Sequence, residues 1–269
     1  MARDGGYLMA IPANFFDLQA SGYQNAEHRT IAMIFYAAPF GPLVGALVAA
    51  AVEGGKDGVL KLWRKLSTWR VAGRIVLAVV LINLVVTLVP AVLALASGIA
   101  TADALFISVP LTGYLLLFGT QLLTSGLGEE VGWRGYMLPR LLARNNSEKT
   151  LWISGLIWAV WHYPFVIFLY LENTAALPVG QQVLMVIFSL AGFTMTIIGQ
   201  GFIYTWLINN GGSVFWAVVY HALSNTLAII FGGQALAAGP MAILPAIMPW
   251  IVVWVMQKRI GKESFLQAA

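Results

Sequence analysis

Seven stretches of this 269-residue chain are apolar and long enough to cross a lipid bilayer. A helix needs roughly 20 apolar residues to cross the hydrocarbon layer, and each stretch supplies about 18 to 28. Backbone groups inside hydrocarbon must be hydrogen-bonded within the protein, which a bundle of helices achieves. The sequence therefore predicts an all-α fold, a polytopic transmembrane helical bundle. The predicted spans lie near 30–52, 75–96, 104–125, 150–171, 181–208, 214–231 and 235–257.

Composition agrees with a membrane location and narrows the possible chemistry. Hydrophobic residues make up 59% of the chain and charged residues 10%, whereas soluble domains carry about 25% charged residues. Cysteine is absent, which excludes disulfides, thiolate metal sites and a cysteine nucleophile. We expect an N-terminal segment 1–29, a single transmembrane domain 30–257 that holds any catalytic site, and a tail 258–269.

The segment 126–149, between the third and fourth predicted spans, is mixed rather than apolar. Its large apolar residues are interleaved with arginines in the pattern of an amphipathic helix. Pro139 lies inside this pattern and is a candidate position for a kink. We interpret the segment as a short helix embedded in the membrane, with an eighth full span as the alternative.

Lysine and arginine are distributed unevenly between the two sides of the predicted bundle. Six lie in 53–74, four in 126–149 and three in the tail, whereas the loops on the opposite side carry none. Since cytoplasmic loops are enriched in positive charge, the basic segments are predicted to be cytoplasmic. Seven spans then place the N-terminus outside the cell membrane and the C-terminus in the cytoplasm. The net charge of +4 fits contact with anionic lipid headgroups, and no nucleic-acid partner is predicted.

A few ionisable residues fall inside or next to the predicted spans, where a charge costs on the order of 2.5–3.5 kcal/mol. Such residues are functional candidates by default. From the helical rise, His162 lies roughly 18 Å and His221 roughly 10 Å from the cytoplasmic ends of their spans. Asn225 is one turn beyond His221 on the same helix face. The candidates are Glu129, Glu130, Arg134, His162 and His221.

Each candidate also has a purely structural interpretation. A single histidine in a span often makes only an interhelical hydrogen bond, and Asn225 alone would join two helices, as is expected of Asn83, Gln121 and Gln200. Glu130 and Arg134 are four residues apart and are suited to an ion pair on one helix face. That pairing accounts for one glutamate and leaves Glu129 unexplained.

Known ways of cutting a peptide inside a membrane can be tested by elimination. No aspartate lies in a span, which argues against an aspartyl pair, and no lysine does, which argues against a serine–lysine dyad. A His-Glu-x-x-His zinc helix is absent. Composition does not exclude Ser–His catalysis, but no serine lies in a recognisable nucleophile turn. What remains is a glutamate that takes a proton from water, with histidine and asparagine side chains that donate hydrogen bonds to a developing oxyanion.

Three motifs resemble those of a known family. In chain order they are Glu129-Glu130-x-x-x-Arg134, Trp158-Ala159-Val160-Trp161-His162 and His221-x-x-x-Asn225. Their order is similar to that of the CPBP (Abi) intramembrane proteases, which include the type II CAAX prenyl endopeptidases and the bacteriocin-processing and self-immunity proteins. At Trp158 the family usually has phenylalanine. Because the apolar ring is kept, we expect this departure to have little consequence.

The resemblance implies a role for each matching residue. Glu129 with His162 would activate the hydrolytic water, and His221 with Asn225 would stabilise the oxyanion. Glu130 with Arg134 would hold the first motif in place. No cofactor is required by the sequence. Glu129, His162 and His221 could instead hold a zinc ion with one open position, although a metal-free glutamate mechanism is preferred.

The function expected from the sequence is that of an intramembrane endopeptidase acting near the cytoplasmic face. Its partners would be membrane lipid and either a prenylated CAAX-type protein or a leader or bacteriocin-like peptide. One alternative is a non-proteolytic scaffold or bacteriocin-immunity protein that uses the same cavity for binding. The other is a transporter with a proton relay, although the two halves of the chain show no repeat of hydropathy.

Overall fold

The computed structural model of the protein describes residues 22–23, 25–231, 243–262 and 265. These residues form helices and contain no β-strand, so the predicted all-α fold is confirmed. The helices outside the central region are α1 (Ala26–Ala37), α2 (Gly41–Arg64), α3 (Gly73–Ala96), α4 (Ala102–Leu105), α8 (Ser147–Asn173), α9 (Val179–Gly211), α10 (Val214–Phe231) and α11 (Leu244–Ile260). A single 3-10 turn, Ala38–Phe40, joins α1 to α2.

The central region is one almost continuous helical rod built from five consecutive segments. Three α-helical segments alternate with two π-helical segments, which have a wider turn. The segments are α5 (Leu111–Gln121), π1 (Leu122–Gly126), α6 (Leu127–Glu130), π2 (Val131–Met137) and α7 (Leu138–Leu142). We call these segments together the central rod.

Within the described residues, five helical stretches are long and apolar enough to cross a membrane. They are His28–Arg64, Gly73–Ala96, Ser147–Phe168, Val179–Gly211 and Val214–Phe231. Each corresponds to one of the seven predicted spans, and the membrane-bundle fold class is confirmed.

The two remaining predicted spans differ from expectation for local reasons. The third was predicted over 104–125, but the backbone is non-helical from Phe106 to Pro110, and the helix begins only at Leu111. The seventh, 235–257, lies partly outside the described residues. Its described part is α11, a helix of 17 residues.

The amphipathic segment predicted over 126–149 is not a separate short helix. It continues from α5 without a break, and Pro139 is the second residue of α7, directly after π2. The departure from regular helix falls instead on π1 and π2, on either side of Glu129 and Glu130. Single π-helical turns inside α-helices are frequent at functional sites.

Glycines in the central rod permit close packing against the start of α2. A Cβ atom on Gly128 would lie 2.6 Å from the carbonyl oxygen of Pro39, and one on Gly132 would lie 2.5 Å from that of Pro42. On the other side of the rod, a Cβ on Gly126 would lie 2.8 Å from the carbonyl oxygen of Val218 in α10. The rod is therefore held between α2 and α10 by contacts that only glycine allows.

Polar side chains join the apolar helices that surround the rod. Asn83 in α3 donates to the carbonyl oxygens of Val79 (2.8 Å) and of Tyr220 in α10 (3.5 Å). The Tyr220 hydroxyl donates to Gln200 Oε1 in α9 at 2.7 Å. The expectation that Asn83 and Gln200 join helices is confirmed, and the backbone of α10 is fixed next to His221.

The far end of α2 bends back to the rod. The helix is interrupted at Gly54 and Gly55, and the positive φ of Gly55 (56°) is a conformation that favours glycine. Beyond this kink, Lys65 Nζ donates to the Gly135 carbonyl oxygen at 2.6 Å, and partial burial lowers the pKa of Lys65. Before it, Glu53 forms an ion pair with Arg140 of α7.

Close packing at Gly132 gives a stability prediction. In Gly132→Ala the new Cβ would meet the backbone of Pro42, which cannot move without shifting α2. We expect a loss of about 1–3 kcal/mol, the usual cost of overpacking, measured as a lower unfolding midpoint in detergent. Gly45→Ala in α2 is the matched control, since no atom lies within 4 Å of its Cβ position. Equal midpoints for the two variants would contradict the packing argument.

Candidate active site

Glu129 is buried in the rod, and one of its carboxylate oxygens is fully engaged. Its Oε2 accepts hydrogen bonds from two indole N–H groups, Nε1 of Trp158 at 2.7 Å and Nε1 of Trp133 at 3.2 Å. Trp133 lies one turn further along the rod, whereas Trp158 belongs to α8. The two indoles hold one oxygen and leave Oε1 as the free side of the carboxylate.

His162 faces that free oxygen. Its Nε2 lies 3.7 Å from Oε1 of Glu129, and its Nδ1 lies 2.9 Å from the carbonyl oxygen of Trp158. A carbonyl oxygen can only accept, so Nδ1 carries the proton and the Nε2 of a neutral ring presents a lone pair to Glu129. With 22% of its side chain exposed, His162 is the more accessible member of the pair.

Glu130 is completely buried and has different partners. Its Oε1 accepts from Arg134 Nη1 at 3.0 Å and from His221 Nδ1 at 2.7 Å. The Arg134 guanidinium in turn lies 4.1 Å and 4.0 Å from the ring centroids of Trp158 and Tyr204. The predicted pairing of Glu130 with Arg134 is confirmed. The contact with His221, 91 residues away in the sequence, could not be read from local spacing.

His221 and Asn225, assigned to the oxyanion by the resemblance, are each tied to another residue. Since Nδ1 of His221 contacts Glu130, only its Nε2 remains to face a substrate, and that atom has no hydrogen-bond partner among the described residues. Asn225 Nδ2 donates to Gln121 Oε1 at 3.0 Å, which confirms Gln121 as a link between helices. The same Gln121 oxygen accepts from Ser125 at 3.3 Å.

The structure thus places the six site residues predicted from sequence in three groups, joined by four contacts. Glu129 faces His162, Glu130 binds both Arg134 and His221, and Asn225 binds Gln121. An edge-on contact between the rings of Trp158 and His221, with centroids 5.8 Å apart, links the first two groups.

The two tryptophans that bind Glu129 were not among the predicted site residues. The expectation that tryptophan at position 158 has little consequence considered only the apolar ring, whereas its indole N–H donates to Glu129. A phenylalanine would keep an apolar ring at this position but has no donor. The available signal was spacing: Trp133 follows Glu129 by one helical turn, and Trp158 precedes His162 by one turn.

Glu129, His162 and His221 are the side chains that could ligate a metal ion. No group of three or more His, Asp or Glu side chains in the described part of the chain is arranged to hold a metal ion. Glu129 Oε2 is engaged by two indoles, and both histidine Nδ1 atoms are hydrogen-bonded, so the atoms that remain as ligands are Glu129 Oε1 and the two Nε2 atoms.

A cavity of about 320 Å³ lies between α2 and the rod, next to the site. Trp133, whose indole reaches Glu129, is part of its wall. Most of the lining residues are apolar, and the two arginines are Arg140 in α7 and Arg144 just after it. The lining residues are Pro42, Gly45, Ala46, Gly132, Trp133, Tyr136, Met137, Arg140, Leu141 and Arg144.

Comparison with known proteins agrees with the three motifs. Residues 110–227 match the Rce1-like family of type II CAAX prenyl endopeptidases, and this range contains all six predicted site residues. A segment of 105 residues is 30% identical to a protein of Methanococcus maripaludis named CAAX prenyl protease 2. The match covers 39% of this chain and 36% of that protein. The resemblance to type II CAAX prenyl endopeptidases inferred from the sequence is confirmed.

The contacts of Glu130 give a second stability prediction. Glu130→Ala would leave Arg134 buried without its carboxylate, and breaking a buried pair in this way costs about 3–5 kcal/mol. We expect a large fall in the unfolding midpoint in detergent. Glu53→Ala is the control, because its ion pair with Arg140 is about half exposed and such pairs contribute at most about 1 kcal/mol. Similar midpoints for the two variants would show that Glu130 is not the buried partner of Arg134.

Proposed function

We propose that the chain is an intramembrane endopeptidase in which Glu129 and His162 activate a water molecule. The observation that carries the proposal is the 3.7 Å separation of Glu129 Oε1 and His162 Nε2. Both atoms are hydrogen-bond acceptors when the ring is neutral and the carboxylate ionised. Two acceptors that face each other need a shared donor, and a water molecule beside the gap, about 2.8 Å from each atom, can donate to both.

In the proposed reaction, Glu129 takes a proton from this water while the oxygen attacks the carbonyl carbon of the scissile peptide bond. The carbonyl π electrons move to the oxygen and give a tetrahedral oxyanion. When the C–N bond breaks, the leaving nitrogen receives the proton from Glu129. The products are a carboxylic acid and an amine, and Glu129 returns to the carboxylate. General-base catalysis of this kind contributes about 10²–10⁴-fold to a rate.

Oxyanion stabilisation is proposed for His221 and Asn225. Because His221 Nδ1–H donates to Glu130, its Nε2 can donate to an oxyanion only when the ring is doubly protonated and paired with that carboxylate. The Asn225 amide has two N–H groups, and Gln121 uses one of them. The second is free to bind the oxyanion.

The proposed substrate is a peptide that ends at the membrane surface, either a prenylated CAAX-type protein or a leader peptide. The name of the archaeal relative, CAAX prenyl protease 2, supports the first. The cavity beside Trp133 provides a mainly apolar route to the site, and Arg140 and Arg144 lie near one end of this cavity. We propose that this end faces the cytoplasm, with the C-terminus on the same side, since basic residues mark cytoplasmic segments.

The reaction is tested by replacing the two residues of the pair. Glu129→Gln keeps the size of the side chain but removes the base, and His162→Ala removes its partner. We expect each to lower cleavage of a farnesylated peptide in detergent by at least about 100-fold, with the unfolding midpoint retained. Glu148→Gln, at an exposed ion pair with Lys262, is the control and should cleave normally. Full activity of Glu129→Gln would refute the mechanism. Binding of the peptide without cleavage by the wild type would favour the scaffold alternative.

Chelation tests the metal-free form of the mechanism. Since no group of three or more His, Asp or Glu side chains among the described residues is arranged to hold a metal ion, we expect activity to survive incubation with EDTA or 1,10-phenanthroline. Mass spectrometry of the purified protein should find no stoichiometric transition metal. Loss of activity that zinc restores would contradict this form and support the Glu129, His162 and His221 zinc site instead.

A further inference from the structure

We propose that Trp158 is a positioning residue that sets the distance and orientation between Glu129 and His162. The inference rests on the proposed function, in which these two residues activate water. It concerns the indole N–H group of Trp158. The phenylalanine that is usual at this position in the CPBP family has no such group.

One residue holds both members of the reacting pair. The Trp158 indole donates to Glu129 Oε2 at 2.7 Å, and the Trp158 carbonyl oxygen accepts from His162 Nδ1 at 2.9 Å. The first contact crosses from α8 to the rod, whereas the second lies within α8. Each leaves the opposite atom of its partner directed into the 3.7 Å gap between Oε1 and Nε2.

Trp158 itself is held from several directions. Its side chain is 4% exposed and packs edge-on against Tyr204, with ring centroids 5.5 Å apart. The Arg134 guanidinium lies over its ring, and Glu130 fixes that guanidinium by an ion pair. The position of the indole is therefore determined by packing and charge that do not involve Glu129.

Removing the indole N–H would loosen the carboxylate. The terminal torsion of a glutamate side chain has broad, shallow minima, so the hydrogen bonds to Oε2 decide where Oε1 points. Trp133 is a second donor to the same oxygen, at the longer distance of 3.2 Å. Loss of the shorter bond would leave Oε1 poorly aligned with His162 Nε2.

The test is Trp158→Phe, which keeps an aromatic ring and removes the donor. We expect kcat for the farnesylated peptide to fall by about 10- to 100-fold, the effect of one hydrogen bond to a charged group, while KM stays within about twofold. Trp250→Phe is the matched control, because it removes an indole bond to a backbone carbonyl, that of Met195, at 2.9 Å. Its kcat and KM should equal those of the wild type. An unchanged kcat in Trp158→Phe, or a rise in KM alone, would overturn the inference.

A spectroscopic measurement tests the same contact without activity. In protein labelled with ¹⁵N at tryptophan indoles, the Trp158 N–H signal should shift upfield in Glu129→Gln, because a neutral amide is a weaker acceptor than a carboxylate. The Trp250 signal should not move. Identical Trp158 signals in the wild type and Glu129→Gln would overturn the positioning role.

If Trp158→Phe does not fold, Trp133→Phe provides the second variant. Its indole makes the longer bond to the same oxygen, so we expect a smaller fall in kcat, about 3- to 10-fold. A wild-type kcat in that variant, together with an unshifted Trp158 signal in Glu129→Gln, would refute the inference. The failure of the proposed function looks different: Glu129→Gln itself would then remain active.

Discussion

The buried carboxylate of Glu130 is the contact on which the rest of the site depends. It joins Arg134 of its own rod to His221 of α10, and both bonds are made by a single oxygen. An ionised group without partners in this interior would cost several kcal/mol, so the three residues are stable only together. Arg134 then supplies the surface against which Trp158 packs. The position of the indole that reaches Glu129 is thus a consequence of the neighbouring ion pair.

Adjacent glutamates can take separate partners because of helix geometry. Successive residues in a helix point about 100° apart, so Glu129 is directed towards α8 and Glu130 towards α10. The π-helical segments on either side adjust this direction locally, and the glycines allow α2 and α10 to approach the rod closely. Two adjacent carboxylates would be costly in a membrane, and here each of them binds its own set of partners.

Hydropathy predicts where a helix crosses the membrane, but it does not predict irregular turns inside a helix. The predicted spans 75–96 and 214–231 agree with α3 and α10 to within two residues, because a long apolar run leaves few alternatives in lipid. The π-helical turns lie where the rod packs closely against distant segments, as at Gly132 and Pro42, and hydropathy carries no information on such contacts. The same holds for the site. The ion pair of Glu130 with Arg134 can be predicted from their four-residue spacing, whereas the bond of Glu130 to His221 can be seen only once the helices are packed together.

The partners of the two glutamates differ in charge, in keeping with the different roles proposed for them. The positive charge of Arg134 compensates that of Glu130. Glu129 is instead stabilised by neutral indole donors, which satisfy one oxygen and leave the negative charge in place. Its other oxygen faces an imidazole nitrogen without an intervening cation. Tryptophan rather than arginine beside Glu129 therefore fixes the position of that carboxylate through neutral hydrogen-bond donors, and a fixed position is what the proposed activation of a water molecule requires.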